Sequence, residues 1–424
     1  MNISSKHIVV IGAGPAGLMA TGSIASAGGD VVLLEKMKIA GRKLRITGKG
    51  RCNLTNQQTM QEFLTHFKPK GHFLRTALSG FFVEDLIQFF QELDVEVVVE
   101  RGHRVFPKSG KAVDVVNGLL QWVNSQGINI QCQTTIKKLI IEEGCVMGVE
   151  TFSGKRIDSK AVIIATGGLS YPATGSTGDG YRFAERAGHK ISQTFPALVP
   201  LETEETFDGR LDKLNLKNVS LSSWCNGKKV DDQFGEMSFT RFGITGPVVL
   251  TMSRQIVESI MAGKDIHVLL DLKPALDHQV LDKRLLSEFK KNNRKKLTVT
   301  LKTLLPQKLI PICLEMTGIS PEKTGDQITS EERKQLRLWL KEFKMIITGY
   351  RPFSEAIITA GGVNTKEIDP KTMASRKIKG LYFAGEVLNF DADTGGYNLQ
   401  AAFSTGRLAG LSALDYIKNH SEFK

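Results

Sequence analysis

The sequence predicts an α/β protein in which a doubly wound parallel sheet is interrupted by an inserted β-rich plus helical domain. Three observations predict it. The chain opens with His7-Ile-Val-Val-Ile-Gly-Ala-Gly-Pro-Ala-Gly17, an apolar strand running into a glycine-rich turn and a helix. It nearly closes with Gly380-Leu-Tyr-Phe-Ala-Gly-Glu-Val387 and Asp393-Thr-Gly-Gly-Tyr-Asn-Leu-Gln400, a second strand, glycine turn and helix. Between them, from about Phe195, short strand-like segments punctuated by Gly, Asn and Pro give way to a charged helical stretch. One nucleotide-binding domain therefore brackets the chain, over residues 1–194 and 345–424. The insert spans 195–344, β-rich over 195–274 and basic and helical over 275–344.

The opening elements follow a βαβ order. Residues 7–12 read as a buried strand, 15–28 as a helix and 31–35 as the next parallel strand. Helical spacing recurs at 82–93 and 112–126. Short strands follow at 128–133, 136–142, 146–152 and near 156–158, and Ala161-Val-Ile-Ile-Ala165 returns to the main sheet. In the insert, strand character falls at 198–201, 216–225, 228–231, 236–242 and 265–271. Helical character runs from Leu276 to about Phe343, where Thr329-Ser-Glu-Glu332 fits a capping box. Leu336, Trp339, Leu340 and Phe343 then share one face, a packing pattern. The sheet-forming pattern resumes around 344–350.

Composition excludes several classes. The chain has 424 residues, enough for two or three domains. It has no secretory start, and no apolar run approaches the ~20 residues of a membrane helix. Its five cysteines are scattered without a C-x-x-C, which argues against a disulfide framework, a zinc site or an iron–sulfur cluster. No metal and no membrane contact are expected, and the cytoplasm is the expected compartment. The net charge is +12, concentrated in 281–308, where nine Lys or Arg face two acids. Lys290, Lys291, Arg294, Lys295 and Lys296 lead that run, and a clustered basic face suits a polyanion such as RNA.

The first glycine turn defines a dinucleotide site. Gly12 permits a tight turn, Gly14 lets backbone approach a diphosphate, and Gly17 lets helix and strand pack closely. Ala13, Pro15 and Ala16 complete the turn, whose helix N-terminus favours the phosphates. Glu35, with Lys36 after it, ends the second strand and can accept a hydrogen bond from a ribose hydroxyl. The C-terminal element selects FAD. Gly385-Glu386 ends a strand placed to hold a ribityl chain, and Gly395, Gly396, Tyr397, Asn398 and Leu399 open a helix toward a flavin edge. Two more loops fit the same site, making the domain Rossmann-like and FAD-binding. The first carries Gly41, Arg42, Lys43, Thr47, Gly48, Gly50, Arg51 and Asn53; the second runs from Ala165, Thr166, Gly167 and Gly168 to Gly178 and Asp179.

The segments Gly41-Arg-Lys to Gly50-Arg-Cys-Asn53, Gly168 to Gly180, Phe239-Thr-Arg-Phe-Gly-Ile-Thr-Gly-Pro247 and Asp393 to Gln400 together resemble the BaiN/RdsA family of FAD-dependent oxidoreductases. The resemblance covers nearly the whole chain, insert included. It implies reduction of a carbon–carbon double bond conjugated to a carbonyl, with two known substrate types: unsaturated bile-acid rings and uridine of 23S ribosomal RNA. The chain departs from the family pattern at Arg241, where members often carry His. Such a reduction needs a proton donor, and Cys52, in the basic loop, leads Tyr171 and Tyr397 as candidates. NAD(P)H is the expected transient electron donor. No second G-x-G-x-x-G is present for it, and Arg101, Arg104 and Lys108 are candidates for its phosphates. The expected partner is ribosomal RNA or its precursor. Two alternatives stay open: a reductase or oxidase of a small unsaturated or amine metabolite, and an RNA-binding factor with structural FAD.

Overall fold

The computed structural model describes residues 7–69 and 71–421. The chain folds into two compact units, one formed by residues up to Pro196 and from Phe353 onward, the other by Ala197–Pro352.

The first unit is built on a four-stranded sheet ordered Leu381–Phe383, Ala161–Ile164, Ile8–Ile11 and Val31–Leu34. All three pairings are parallel, with Ile8 opposite both Ala161 and Val31, and Val162 opposite Leu381. Ile8, Val9, Val10 and the whole of Ala161–Ile164 are fully buried. This is why these strands read as continuous apolar runs rather than alternating ones. The helix Pro15–Ser26 follows the first strand, and the last helix, Tyr397–Ser421, lies against it. Small residues set that contact. A Cβ on Gly406 would sit 2.3 Å from the Ala16 carbonyl oxygen, and one on Gly410 would sit 2.7 Å from that of Ala20. The expected helices appear as Val83–Glu92 and Ala112–Ser125. The strand expected at 128–133 does not form. Gln131 makes one bridge to Leu34, and Gln133 turns the chain away at φ 56°.

The second unit is a closed six-stranded barrel ordered Leu201–Thr203, Gly243–Thr245, Lys228–Thr240, Asn215–Cys225, Ile266–Asp271 and Phe343–Tyr350. Alternate side chains fill it, among them Leu221, Met237, Ile244, Val268, Phe343 and Met345. Three features differ from expectation. The segments 228–231 and 236–242 are one continuous strand, which pairs along most of its length with Asn215–Cys225. An unexpected helix, Pro247–Met261, follows it, with Gly246 at φ 102° turning the chain and Pro247 opening the first turn. Finally, Phe343–Tyr350 closes the barrel on Leu201–Thr203, so the chain returns to the first unit at Phe353 rather than at 345. The helical stretch resolves into His278–Lys291, Leu297–Thr300, Leu309–Thr317 and Ser330–Lys341. The last is opened by the Thr329–Glu332 capping box. Among the described residues no helix is long and apolar enough to cross a membrane.

The helix crossing at Gly406 makes a direct prediction. Gly406→Val pushes side-chain atoms into backbone and should destabilise the protein by about 2 kcal/mol. Thermal melting would show this as a lowered midpoint, and an unchanged midpoint would mean the crossing has room to spare.

Candidate functional site

The glycine turns of the first unit meet around one cavity of about 170 Å³. Its wall includes Gly12, Ala13, Gly14, Pro15 and Ala16 from the first turn, and Glu35 and Lys36 from the end of the second strand. Gly41, Arg42, Lys43 and Thr47 contribute from the basic loop, and Ala165, Thr166, Gly167 and Asp179 from the next. Gly385, Glu386, Asn398 and Leu399 come from the C-terminal segment. Residues from both ends of the chain therefore line one chamber.

The three glycines of the first turn do different work. Gly12 sits at φ 101°, and a Cβ there would lie 2.6 Å from the Ala165 carbonyl oxygen. A Cβ on Gly17 would lie 1.8 Å from the Gly12 carbonyl oxygen. Both are glycine because the protein's own backbone leaves no room. Gly14 has φ −83°, and a Cβ there would meet nothing within 4 Å. Neither packing nor backbone conformation demands glycine at Gly14; a close-lying ligand would. The helix starting at Pro15 has no side-chain cap, so its first N–H groups point outward for an anion.

Glu35 fixes the rim of this turn. Its carboxylate accepts the Ala13 N–H at 2.8 Å and the Met37 N–H at 2.7 Å. These bonds hold it oriented at the cavity wall, with lone pairs to spare for hydroxyl donors. Lys36 donates to Asp179 at 2.6 Å and to Thr177 at 2.5 Å, joining the first and third loops.

Glu386 has a fuller set of partners than its sequence context implies. It accepts from Lys43 Nζ at 2.7 Å, from Ser170 Oγ at 2.7 Å and from the Thr359 N–H at 3.0 Å. Lys43 also donates to Ser170 at 2.6 Å. A mostly buried ion pair is thereby satisfied on several sides. Ser170 and Thr359 were not singled out from the sequence. Ser170 lies within the second glycine loop, whereas nothing around Ile358-Thr-Ala-Gly marks Thr359.

Other expected site residues stand off the cavity. Gly17 serves packing, and Gly48, Gly50, Gly168, Gly178, Gly395 and Gly396 shape adjoining turns. Arg51 is committed to Glu100 and lies over the Phe106 ring at 4.3 Å. Asn53 is off the wall too, yet its buried Oδ1 has no hydrogen-bond partner. Cys52 is fully enclosed in the core, and burial pushes its thiol up to about 12. It does not line the cavity, which removes the reason for ranking it first as a proton donor. Tyr397 is buried, its hydroxyl donates to Gln58 Oε1 at 3.0 Å, and burial raises its pKa well above the ordinary value. Tyr171 lies in a left-handed turn pinned by its N–H to the Phe353 carbonyl, also off the wall. Lys108 is paired with Glu96 at the surface, and Arg104 Nε donates to the Arg101 carbonyl.

In the second unit, Lys290 and Lys291 end the helix His278–Lys291, where its dipole favours cations. They, Arg294 and Lys295 are exposed without an acidic partner among the described residues. Lys296 differs from these four, pairing with Glu322 at 2.5 Å. Among the described residues no cluster of His, Cys, Asp or Glu is suited to a metal ion.

A parallel sheet, a glycine turn at a helix N-terminus and a carboxylate ending the second strand define a dinucleotide-binding protein of the Rossmann class. A family model described as the HI0933-like protein Rossmann domain matches residues 6–412, and the chain belongs to that family of oxidoreductases. A 3-dehydro-bile acid delta(4,6)-reductase of Clostridium scindens is 31% identical over 413 residues, 97% of this chain and 99% of its own. A ribosomal RNA dihydrouridine synthase of Haemophilus influenzae is 31% identical over 411 residues, 95% and 97% of the two chains. A ribosomal RNA dihydrouridine synthase of Escherichia coli is 28% identical over 399 residues, 94% and 95% of the two chains.

The different roles of the glycines can be separated by substitution. Gly14→Val should fold and melt like the parent without ligand, yet purify without bound dinucleotide. Gly17→Val should fail to fold, because its Cβ meets backbone. Equal cofactor content in Gly14→Val and the parent would show that no ligand approaches Gly14.

Proposed function

We propose that the chain is an FAD-dependent reductase of carbon–carbon double bonds conjugated to a carbonyl, using NAD(P)H as the electron source, and that its substrate is a uridine of 23S ribosomal RNA. The cavity residues fit FAD. Gly14 leaves open space at an uncapped helix N-terminus, and Glu35 has acceptor capacity for a ribose. The turn at Gly12–Gly17 would hold the diphosphate, Glu35 the ribose, and the Lys43–Glu386–Ser170 group and Asn398–Leu399 the remainder. Once reduced, FAD would supply hydride to the β carbon of the conjugated alkene, C6 in uracil. The protein must position that alkene, stabilise the enolate oxygen and provide a proton.

The observation that favours RNA over a small molecule is the exposed, unpaired set Lys290, Lys291, Arg294 and Lys295, in a chain matched over nearly its full length by ribosomal RNA dihydrouridine synthases. Such cations bind phosphates without reading sequence and hold a strand in register. The target base must also be unstacked to reach a flavin.

Deleting the gene and measuring dihydrouridine in 23S ribosomal RNA tests this. Loss is expected at one site, restored by the intact gene. A Gly14→Trp version, or one with Lys290, Lys291, Lys295 and Lys296 changed to Glu, should not restore it. An unchanged modification pattern would overturn the RNA reading and favour an unsaturated small molecule, the kind of substrate named for the Clostridium scindens relative.

A further inference from the structure

We infer that His66, oriented by Asp393, is the acid that protonates the substrate; the inference rests on the double-bond reductase reading. The two residues are 327 positions apart, yet backbone pairing fixes them side by side. Phe67–Lys68 pairs antiparallel with Asp391–Ala392, and the Asp393 N–H donates to the His66 carbonyl at 3.2 Å. Across that register His66 Nδ1 lies 2.9 Å from Asp393 Oδ2. The imidazole also stacks on Tyr397, with ring centroids 4.1 Å apart and planes tilted by 18°. Among the described residues Nε2 has no hydrogen-bond partner, and the two side chains remain 28% and 32% exposed.

This dyad is tied to the cavity wall. Asn398, which lines the cavity, clamps the strand before Asp393. Its Oδ1 accepts the Ala392 N–H at 2.9 Å, and its Nδ2 donates to the Ala392 carbonyl at 2.8 Å and to that of Asp393 at 3.4 Å. One residue thus holds both the wall and the dyad. A carboxylate on Nδ1 selects the tautomer and orients the ring, leaving Nε2–H as the donor. The groups facing His66 are Asp393, Glu62, Tyr397 and, near Glu62, His103. The Glu62 carboxyl is held below its usual range by Thr59, and further by His103 and His66.

His66, like Cys52, Tyr171 and Tyr397, does not itself line the cavity. What sets it apart is a part-exposed ring with Nε2 free of a hydrogen-bond partner among the described residues, whereas Cys52 is enclosed and the Tyr397 proton is given to Gln58. In the proposed step the Nε2–H bond breaks and a C–H bond forms at the carbon next to the carbonyl. The enolate's electron pair takes the proton and the carbonyl re-forms. The neutral imidazole regains its proton from water. Bound FAD, in its reduced form, would supply the two electrons as hydride and be oxidised in doing so. His66 is the catalytic acid and Asp393 a positioning residue.

The test uses holoenzyme and 23S ribosomal RNA isolated from the gene-deleted strain. His66→Gln should retain parental flavin content and make dihydrouridine about 100-fold or more slowly, within the usual range for a lost general acid. Asp393→Asn should slow it about tenfold through kcat rather than KM. The parental rate should decline as pH rises through the imidazole titration, and His66→Gln should lose that limb. Independently of turnover, diethyl pyrocarbonate should modify His66 in the parent, as read by mass spectrometry, and bound ribosomal RNA should protect it. A His66→Gln rate within twofold of the parent, with the same pH limb, would overturn the inference. So would His66 modification unaffected by RNA, the deciding result should the variant not fold. If the parent itself makes no dihydrouridine from this RNA, the uridine reading fails first, and this inference with it.

Discussion

The close crossing of the first and last helices of the first unit is the contact on which the site depends. Gly406 and Gly410, one turn apart, let Tyr397–Ser421 lie directly on the backbone of Pro15–Ser26 at Ala16 and Ala20. The Gly12–Gly17 turn opens one of these helices, and the Gly395–Gly396 turn opens the other. Drawing their N-terminal regions together makes one chamber from segments at opposite ends of the chain. Side chains larger than glycine would separate the helices and, with them, the two halves of the cavity wall.

Around that chamber the charges are disposed in two sets. Glu35 accepts one N–H of the turn, from Ala13, and that of Met37, which holds a carboxylate at the rim in one orientation. Lys43 and Glu386 neutralise each other with Ser170 and Thr359 as further partners. Outside the wall, the His66–Asp393 pair is an acid–base arrangement fixed by backbone register. The division is chemically sensible. The paired groups suit binding, and the ring nitrogen left without a partner suits proton transfer.

Much of the first unit was legible because its signals are local. Gly12, Gly14, Gly17 and Glu35 lie within one βαβ unit, and apolar runs buried on both faces announce a parallel sheet. The insert was less legible. Barrel closure depends on Phe343–Tyr350 meeting Leu201–Thr203, a pairing that no local pattern encodes. The Pro247–Met261 helix begins Val-Val-Leu-Thr, which reads as strand until the Gly246 turn and the Pro247 start are recognised. At the site, the position of Cys52 in a basic glycine loop suggested reactivity, but tertiary packing encloses it. Thr359 and His66 carried no signal, because their importance comes from partners hundreds of residues away or from another loop.

The most direct test of a single cavity built by both chain ends is the identity of what it holds. The protein would be purified in the cold, its visible spectrum recorded, and the cofactor released by heat and identified by mass spectrometry. FAD at one per chain, with flavin absorption bands, is the expected result. A protein that stays colourless and binds no added FAD, or one that releases a nicotinamide dinucleotide instead, would contradict it.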